Sequence, residues 1–366
     1  MKKTIWFDLD NLPHVSLFRP IFYELDKRNV KYIVTARDFN HTLEQLKYWN
    51  INHTAIGLHG GKNKFKKILN LFERSYQLKR YIKSFDNIGL AVSHGSRTQV
   101  VAAKWLGIKS LVMMDYEYTE TKLFNYFSTY MLIPRFIPDS RLASVGLNLK
   151  KVVRYNGFKE QIYLNSFNPD KSFRKQINIS DESILVVIRP PALASNYHDP
   201  KSEELLISGL NYFSNNENTI CLILSRTSED KDFILSQIAT SNKIRFLEKQ
   251  VDGLQLLYSA DITVSGGGTM NRESALLGTE SYSIFTGRRP YLDEYLEKQG
   301  KLTFINQPDD FYNIHVKRRN KHDIENNILI SVFNNCLLFK DVMKLPKLII
   351  FIKVNFFHNN IQWSSS

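Results

Sequence analysis

The chain is poor in cysteine, in long apolar runs and in acid, and each shortage excludes a class. Two cysteines in 366 residues, Cys221 and Cys336, are too few and too far apart for a disulfide scaffold. Cys221 lies in the apolar run Ile220 to Leu224, the setting of a small buried hydrophobe, and the pair points to a reducing compartment. No stretch reaches the roughly 18 uninterrupted apolar residues of a spanning helix. Leu345 to Phe357 comes nearest and is broken by Lys347, Lys353 and Asn355. The first residues run from Lys2 and Lys3 into Asp8 and Asp10 without the apolar core of an export signal, so a cytoplasmic location is expected. Two lone cysteines and nine dispersed histidines do not form the spacings zinc prefers, and no metal is expected. The 36 acidic residues are outnumbered by 49 Lys and Arg, and the net +13 favours anionic partners. A hydrophobic fraction of 43% with 23% charged residues excludes wholesale disorder and a polytopic membrane protein. At about 150 residues per domain, the length fits two domains.

What is present is an alternation of strand and helix signals. Thr4 to Leu9 is apolar and β-prone, Asn11 to Pro13 interrupts it, Val15 to Arg28 has helical periodicity, and Lys31 to Ala36 is a second short apolar run. A similar unit follows, with strands at Ile88 to Val92 and Ser110 to Met114 around a helix from Thr98 to Leu106, and Gly107 stands where a helix C-cap glycine belongs. A second series begins at Ile184 to Ile188 and continues through Thr219 to Leu224, Ile244 to Phe246, Ile262 to Val264 and Ser281 to Phe285. Val153 to Asp170, with the turn signals Asn156-Gly157 and Asn168-Pro169, reads as the connection. The expectation is two doubly wound α/β domains, residues 1–160 and 161–335, followed by a tail, 336–366, whose structure the Asn/Lys/Phe/Ile-rich composition does not define.

The sharpest local signal is Ser265-Gly266-Gly267-Gly268-Thr269, after the strand 261–264 and before a helical pattern at Arg272 to Leu277. Glycines at a strand-to-helix turn admit a ligand close to the backbone, and the helix N-terminus adds unpaired N–H groups and a positive dipole end. Phosphate or diphosphate suits such a turn. Glu273, placed on the first turn of that helix, suits ribose hydroxyls; the alternative is a glutamate that complements the helix dipole. The turn lacks the lysine of a Walker loop and the spacing of a dinucleotide fingerprint.

With these residues in view, 265–278 resembles the donor-nucleotide site of GT-B glycosyltransferases and of UDP-N-acetylglucosamine 2-epimerases. More closely, the chain resembles domain-of-unknown-function family 354, an epimerase- and MurG-like group. The resemblance is carried by Ile5-Trp6-Phe7-Asp8 through Asn11-Leu12-Pro13-His14-Val15, Ser93-His94-Gly95-Ser96, Tyr155 to Glu160, Arg189-Pro190-Pro191 and the triglycine segment. It implies two Rossmann-like doubly wound domains facing a cleft in the GT-B arrangement, a UDP-sugar as donor substrate, no other cofactor, no metal, and work on cell-surface polysaccharide or glycolipid. The nucleotide-binding set is then Ser265, Gly266, Gly267, Gly268, Thr269 and Glu273.

Three further residues are assigned to the chemistry. His14, in a loop similar to the first strand-to-helix loop of MurG-type transferases, is a candidate base on an acceptor hydroxyl, with a helix-capping role as its alternative. Glu117 matches a glutamate of the epimerase active site and is the alternative base. Ser96, however, stands where the epimerase has an aspartate, and Ile188-Arg189 keeps only the arginine of a His-Arg pair. Arg189 at a strand end suits a departing diphosphate, against a structural salt bridge as its alternative, and Tyr197-His198 lies in the loop beyond. These departures favour a glycosyltransferase over a UDP-sugar 2-epimerase; a nucleotide-sugar-binding subunit without catalysis is the third reading. Asp8 and Asp10 after an apolar strand also suggest a dehalogenase-like phosphatase, but the turn that follows is wrong for one. Finally, Lys62 to Lys83 interleaves eight basic residues and a single acid, Glu73, with an apolar stripe. It suits an anionic membrane surface as well as a solvated helix, and the acceptor is expected to be a saccharide or lipid-linked. No nucleic-acid module is recognisable, so no nucleic acid is expected.

Overall fold

The protein is described by a computed structural model covering residues 3–39, 41–58, 64–191, 199–225, 227–238, 241–249 and 251–319. The chain divides into two compact units between Asn165 and Ser166. Cys336, Tyr197, His198, Lys62 and the tail lie outside the described residues.

In the first unit, β1 (Thr4–Leu9), β2 (Tyr32–Asp38), β3 (Thr54–Leu58), β4 (Ile88–His94), β5 (Ser110–Met113), β6 (Tyr130–Pro134) and β7 (Val152–Tyr155) alternate with helices. These are α1 (Leu12–Lys27), α2 (Thr42–Tyr48), α3 (Lys64–Ile82), α4 (Arg97–Trp105), α5 (Thr121–Phe127), α6 (Asp139–Ser144) and α7 (Glu160–Leu164). Among the described residues the strands form one seven-stranded sheet, ordered β3-β2-β1-β4-β5-β6-β7, with parallel pairings throughout. The order reverses beside β1, so β1 and β4 part company at their C-terminal ends, where open α/β sheets collect ligands. Both strands are nearly solid apolar runs, as burial on two faces requires.

Helix α1 starts at Leu12, three residues before the periodicity predicts. Asn11 caps it, its side-chain oxygen accepting from Leu12 N at 2.9 Å, and Pro13 sits in the first turn, where its missing N–H costs nothing. What reads as an interruption is a helix start. Gly107 follows α4 at φ +68°, the left-handed conformation that ends a helix. β7 corrects another expectation: Val152–Tyr155 belongs to the sheet as its edge, not to a connection. The pattern is obscured because three of its four residues are only half-buried.

The second unit begins with α8 (Phe173–Gln176) and β8 (Ile184–Arg189), then α9 (Pro200–Asn215), β9 (Thr219–Ile223), α10 (Ser228–Gln237) and β10 (Ile244–Phe246). It closes with α11 (Gly253–Ser259), β11 (Ile262–Ser265), α12 (Gly268–Leu276), β12 (Glu280–Ser283), α13 (Tyr291–Lys298) and β13 (Thr303–Phe304). Its parallel sheet runs β10-β9-β8-β11-β12-β13, so the order reverses between β8 and β11. Val186, Ile188, Cys221, Ile223 and Val264 pack against Leu205, Leu210 and Phe213 of α9. Each large apolar side chain so buried contributes about 1.5–3 kcal/mol. Cys221 is a core residue as expected, and burial pushes its thiol up to about 12, leaving it inert.

Candidate functional site

At the second unit's topological reversal, β8 and β11 lie side by side with Ser265 opposite Arg189. The chain leaves β11 through Gly266, whose N–H donates to the Arg189 carbonyl at 3.1 Å. Arg189 and the triglycine turn are thereby neighbours. A Cβ on Gly266 would stand 2.7 Å from the Pro191 Cα, so a backbone, not a movable side chain, forbids any larger residue. This glycine therefore has a packing reason. The Ser265 hydroxyl is wholly buried and turned into the loop, accepting from Gly267 N at 3.0 Å. It shapes the turn.

Helix α12 begins at Gly268, four residues earlier than the sequence pattern suggests. Gly267 is its N-cap, and no side chain caps it. The leading N–H groups of Gly268, Thr269 and Met270 thus have no intrahelical acceptor, the usual state of a helix start, with the dipole's positive end behind them. The same early start corrects Glu273. It is the sixth residue of α12 and lies in the second turn, not the first, so it cannot serve as an N-terminal dipole partner. The helix is held by buried pairs: Arg272 Nη1 reaches Asp293 Oδ1 at 2.9 Å, and Asn271 donates to the Ser283 hydroxyl at 3.0 Å.

The first unit places a different kind of site at its reversal. Asp8, 0% exposed on β1, accepts from four side-chain donors: Arg74 Nη2 and Thr35 Oγ1 on Oδ1 at 2.8 and 2.6 Å, and Arg74 Nη1 and Ser96 Oγ on Oδ2 at 2.9 and 2.6 Å. Burial pushes this carboxyl up, but the Arg74 charge and these bonds outweigh it and hold it below the usual range. A carboxylate so enclosed is no nucleophile, which removes the phosphatase reading. Asp10 goes the other way. Burial and the charge of Asp8 raise it despite Arg74, 2.9 Å from its Oδ1, and Arg37 at 3.7 Å. Ser96 is the N-cap of α4, accepting from Gln99 N at 3.2 Å while donating to Asp8. The hydroxyl in the place of the epimerase aspartate is spent on structure.

Next to this ion cluster lie two histidines. His14 Nδ1 accepts from the Asp10 N–H at 3.1 Å, and its ring centroid is 5.0 Å from that of His94 at the end of β4. His94 Nε2 stands 3.1 Å from Asp115 Oδ1, just beyond β5, and Asp115 Oδ2 accepts from Lys159 Nζ at 2.5 Å. Burial, with the charges of His94 and Lys159, holds His14 well below the ordinary histidine value, and burial with Lys159 also lowers His94 against the pull of Asp115. Both shifts favour the neutral imidazole at pH 7. Glu117 is 3% exposed, its Oε1 4.0 Å from Arg141 Nε. Sequence reasoning picked out His14 and Glu117; His94 and Lys159 entered only through the family resemblance and Arg74 only as a basic residue of the 62–83 stripe, with no site role for these or for Asp115. The available signal was position: His94 and Asp115 end or follow strands, and Lys159 follows β7.

Among the described residues no group of three or more His, Cys, Asp or Glu is arranged to hold a metal ion. Nor, among them, is any helix long and apolar enough to cross a membrane.

The fold is shared with solved structures. UDP-GlcNAc 2-epimerase from Neisseria meningitidis, bound to UDP-GlcNAc, superposes with a TM-score of 0.68 at 14% identity, over 91% of this chain and 100% of that one. Alr3699/HepE of Anabaena, in complex with UDP-glucose, gives 0.65 at 12% identity over 97% and 100%. These likenesses show the fold, two Rossmann-like units of the GT-B kind. In sequence, the uncharacterized protein MJ0665 of Methanocaldococcus jannaschii is 25% identical over 316 residues, 84% of this chain and 89% of that protein. The family described as protein of unknown function (DUF354) matches residues 3–342, and the chain belongs to it.

Proposed function

We propose that this protein is a glycosyltransferase that uses a UDP-sugar, in the assembly of cell-surface polysaccharide or glycolipid. The observation that carries the reading is the start of α12, which no side chain caps, beside Arg189, at the strand ends where the second sheet reverses its order. The diphosphate is held by the N–H groups of Gly268 and Thr269, with Gly266 seating the turn against Pro191, Gly267 at the N-cap, Ser265 shaping the turn, and Glu273 accepting ribose hydroxyls. Arg189 meets the charge that grows as the glycosidic bond breaks. The first unit supplies the proton-handling groups around His14 and Glu117. An acceptor hydroxyl attacks the anomeric carbon as the bond to the diphosphate breaks, its electron pair leaving with UDP, so a single displacement inverts the configuration.

Two observations favour transfer over 2-epimerisation. The Ser96 hydroxyl is committed to Asp8 and to the α4 cap, leaving no acid in that position, and Arg189 stands without the histidine of the epimerase pair. Purified protein incubated with UDP-GlcNAc and followed by NMR decides: slow release of UDP supports a transferase lacking its acceptor. A new C2 epimer, or tight binding without turnover, contradicts it.

The reading extends to a membrane-borne acceptor. Helix α3 buries Arg74, Ser75, Leu78 and Ile82, yet presents a second apolar face, with Leu69 67% and Tyr76 60% exposed beside Ile68 and Phe72. Phe72 stacks at 6.4 Å on Trp105 of α4, and Lys79, Arg80 and Lys83 continue the stripe. Apolar side chains edged by cations match an anionic bilayer surface.

A further inference from the structure

We propose that His94 is the proton acceptor of the first unit's site and that His14 is its neutral hydrogen-bond donor, a division of labour that rests on the transferase reading. An imidazole with one nitrogen accepting from a backbone amide carries its proton on the other. In His14 the Asp10 N–H occupies Nδ1 at 3.1 Å, so the neutral ring holds its hydrogen on Nε2 and has no lone pair left for a substrate proton. It donates. His94 is held the opposite way. Its Nε2 faces Asp115 Oδ1 at 3.1 Å, and a carboxylate there keeps the proton on Nε2 and the lone pair on Nδ1. The contact is close without the alignment of a full hydrogen bond, a common state of catalytic pairs before substrate binds. Lys159, 2.5 Å from the other Asp115 oxygen, fixes that carboxylate and shares its charge.

The groups facing His94 are Asp115, Lys159, Glu160 and His14. Lys159 and burial keep the ring unprotonated in the resting protein, while Asp115 is in place to stabilise the imidazolium once it forms. With the rings 5.0 Å apart, an acceptor oxygen at the rim of the pair receives the Nε2–H of His14 and points its own hydrogen at Nδ1 of His94. The hydroxyl proton passes to His94 Nδ1, and the bonding pair stays on the acceptor oxygen as the nucleophile. Asp115 acts through the ring and is a positioning residue.

Two readouts test this. Long-range proton–nitrogen NMR of imidazole-labelled protein at pH 8 reports each tautomer without turnover: His14 is expected as the neutral Nε2–H form, and His94 as Nε2–H as well, with Nδ1 bare. A His14 signal with the proton on Nδ1 overturns the assignment. UDP release from UDP-GlcNAc then separates the roles. His94→Gln is expected to lose at least about 100-fold in turnover with UDP affinity by calorimetry unchanged within about two-fold, and His14→Gln about ten-fold, since glutamine still donates. Asp115→Asn is expected to lower the titration of His94 and move the acid limb of the rate profile to lower pH. Unchanged turnover in His94→Gln, or an acid limb that Asp115→Asn leaves in place, refutes the proposal. Failure of the wild-type protein to bind UDP refutes the transferase reading instead and leaves the tautomer result standing.

Discussion

The two units solve the same topological problem with opposite materials. Where the first sheet reverses, the strand ends carry Asp8, Asp10, His94, Asp115 and, reaching in, Arg74 and Lys159; where the second reverses, the described residues offer Arg189, hydroxyls and the uncapped start of α12, backed by the buried pair Arg272–Asp293. Crowded buried charge must be matched atom for atom, because each unpaired ion costs several kcal/mol, and it can shift proton affinities. A bare helix start imposes no such matching and offers fixed dipoles to an anion. The comparison teaches that one end is suited to moving protons and the other to gripping phosphate.

Breaking the first site is expected to cost most. Arg74→Ala leaves Asp8 buried without its counter-ion and is expected to destabilise the protein by about 3–5 kcal/mol in denaturant melts. Adding Asp8→Asn should recover part of that loss; if Arg74→Ala alone melts like wild type, the cluster is not matched as described. Gly266→Ala forces a Cβ against the Pro191 backbone, and about 1–3 kcal/mol of stability should go along with UDP affinity. Loss of affinity in a variant that still folds sharpens the contrast between the two strand ends.

Acidity gives a smaller, signed effect. Because burial lowers His14 and His94 beneath the ordinary value of 6.5, the unfolded chain binds protons below that pH that the folded chain refuses. Their contribution is fully present above pH 6.5 and is lost as the pH falls from there through the folded values. The melting temperature of wild type should therefore drop below pH 6.5, and His14→Gln should drop less; parallel curves would contradict the assignment. Smallest of all, Ile68→Glu with Leu69→Glu should abolish sedimentation with phosphatidylglycerol vesicles while leaving the melt unchanged, because both side chains are exposed. Equal binding to neutral vesicles, or a wild-type dimer that the same changes dissociate, would count against a lipid partner.

Much of the scaffold was legible because buried parallel strands are apolar runs, and β1, β4, β8, β9 and β11 all announce themselves that way. β7 did not, since an edge strand half in solvent loses its pattern. The triglycine segment was legible as a strand-to-helix turn, but not the division of its parts: only three dimensions show that Ser265 folds inward, that Pro191 forbids a side chain at Gly266, and that α12 starts early enough to carry Glu273 into its second turn. Arg74 was read as surface charge in a basic helix, and its ion pair with Asp8 spans a sequence separation that no local pattern encodes. The same holds for Lys159 and Asp115.

The central claim is that the start of α12 holds the diphosphate of a UDP-sugar. Titration of UDP into the wild-type protein by calorimetry is expected to give one site of about micromolar affinity, the sum of two or three charge-assisted hydrogen bonds less the cost of ordering. Gly266→Ala and Glu273→Ala should each weaken it. No binding up to millimolar UDP, or binding that both variants leave untouched, would contradict the account.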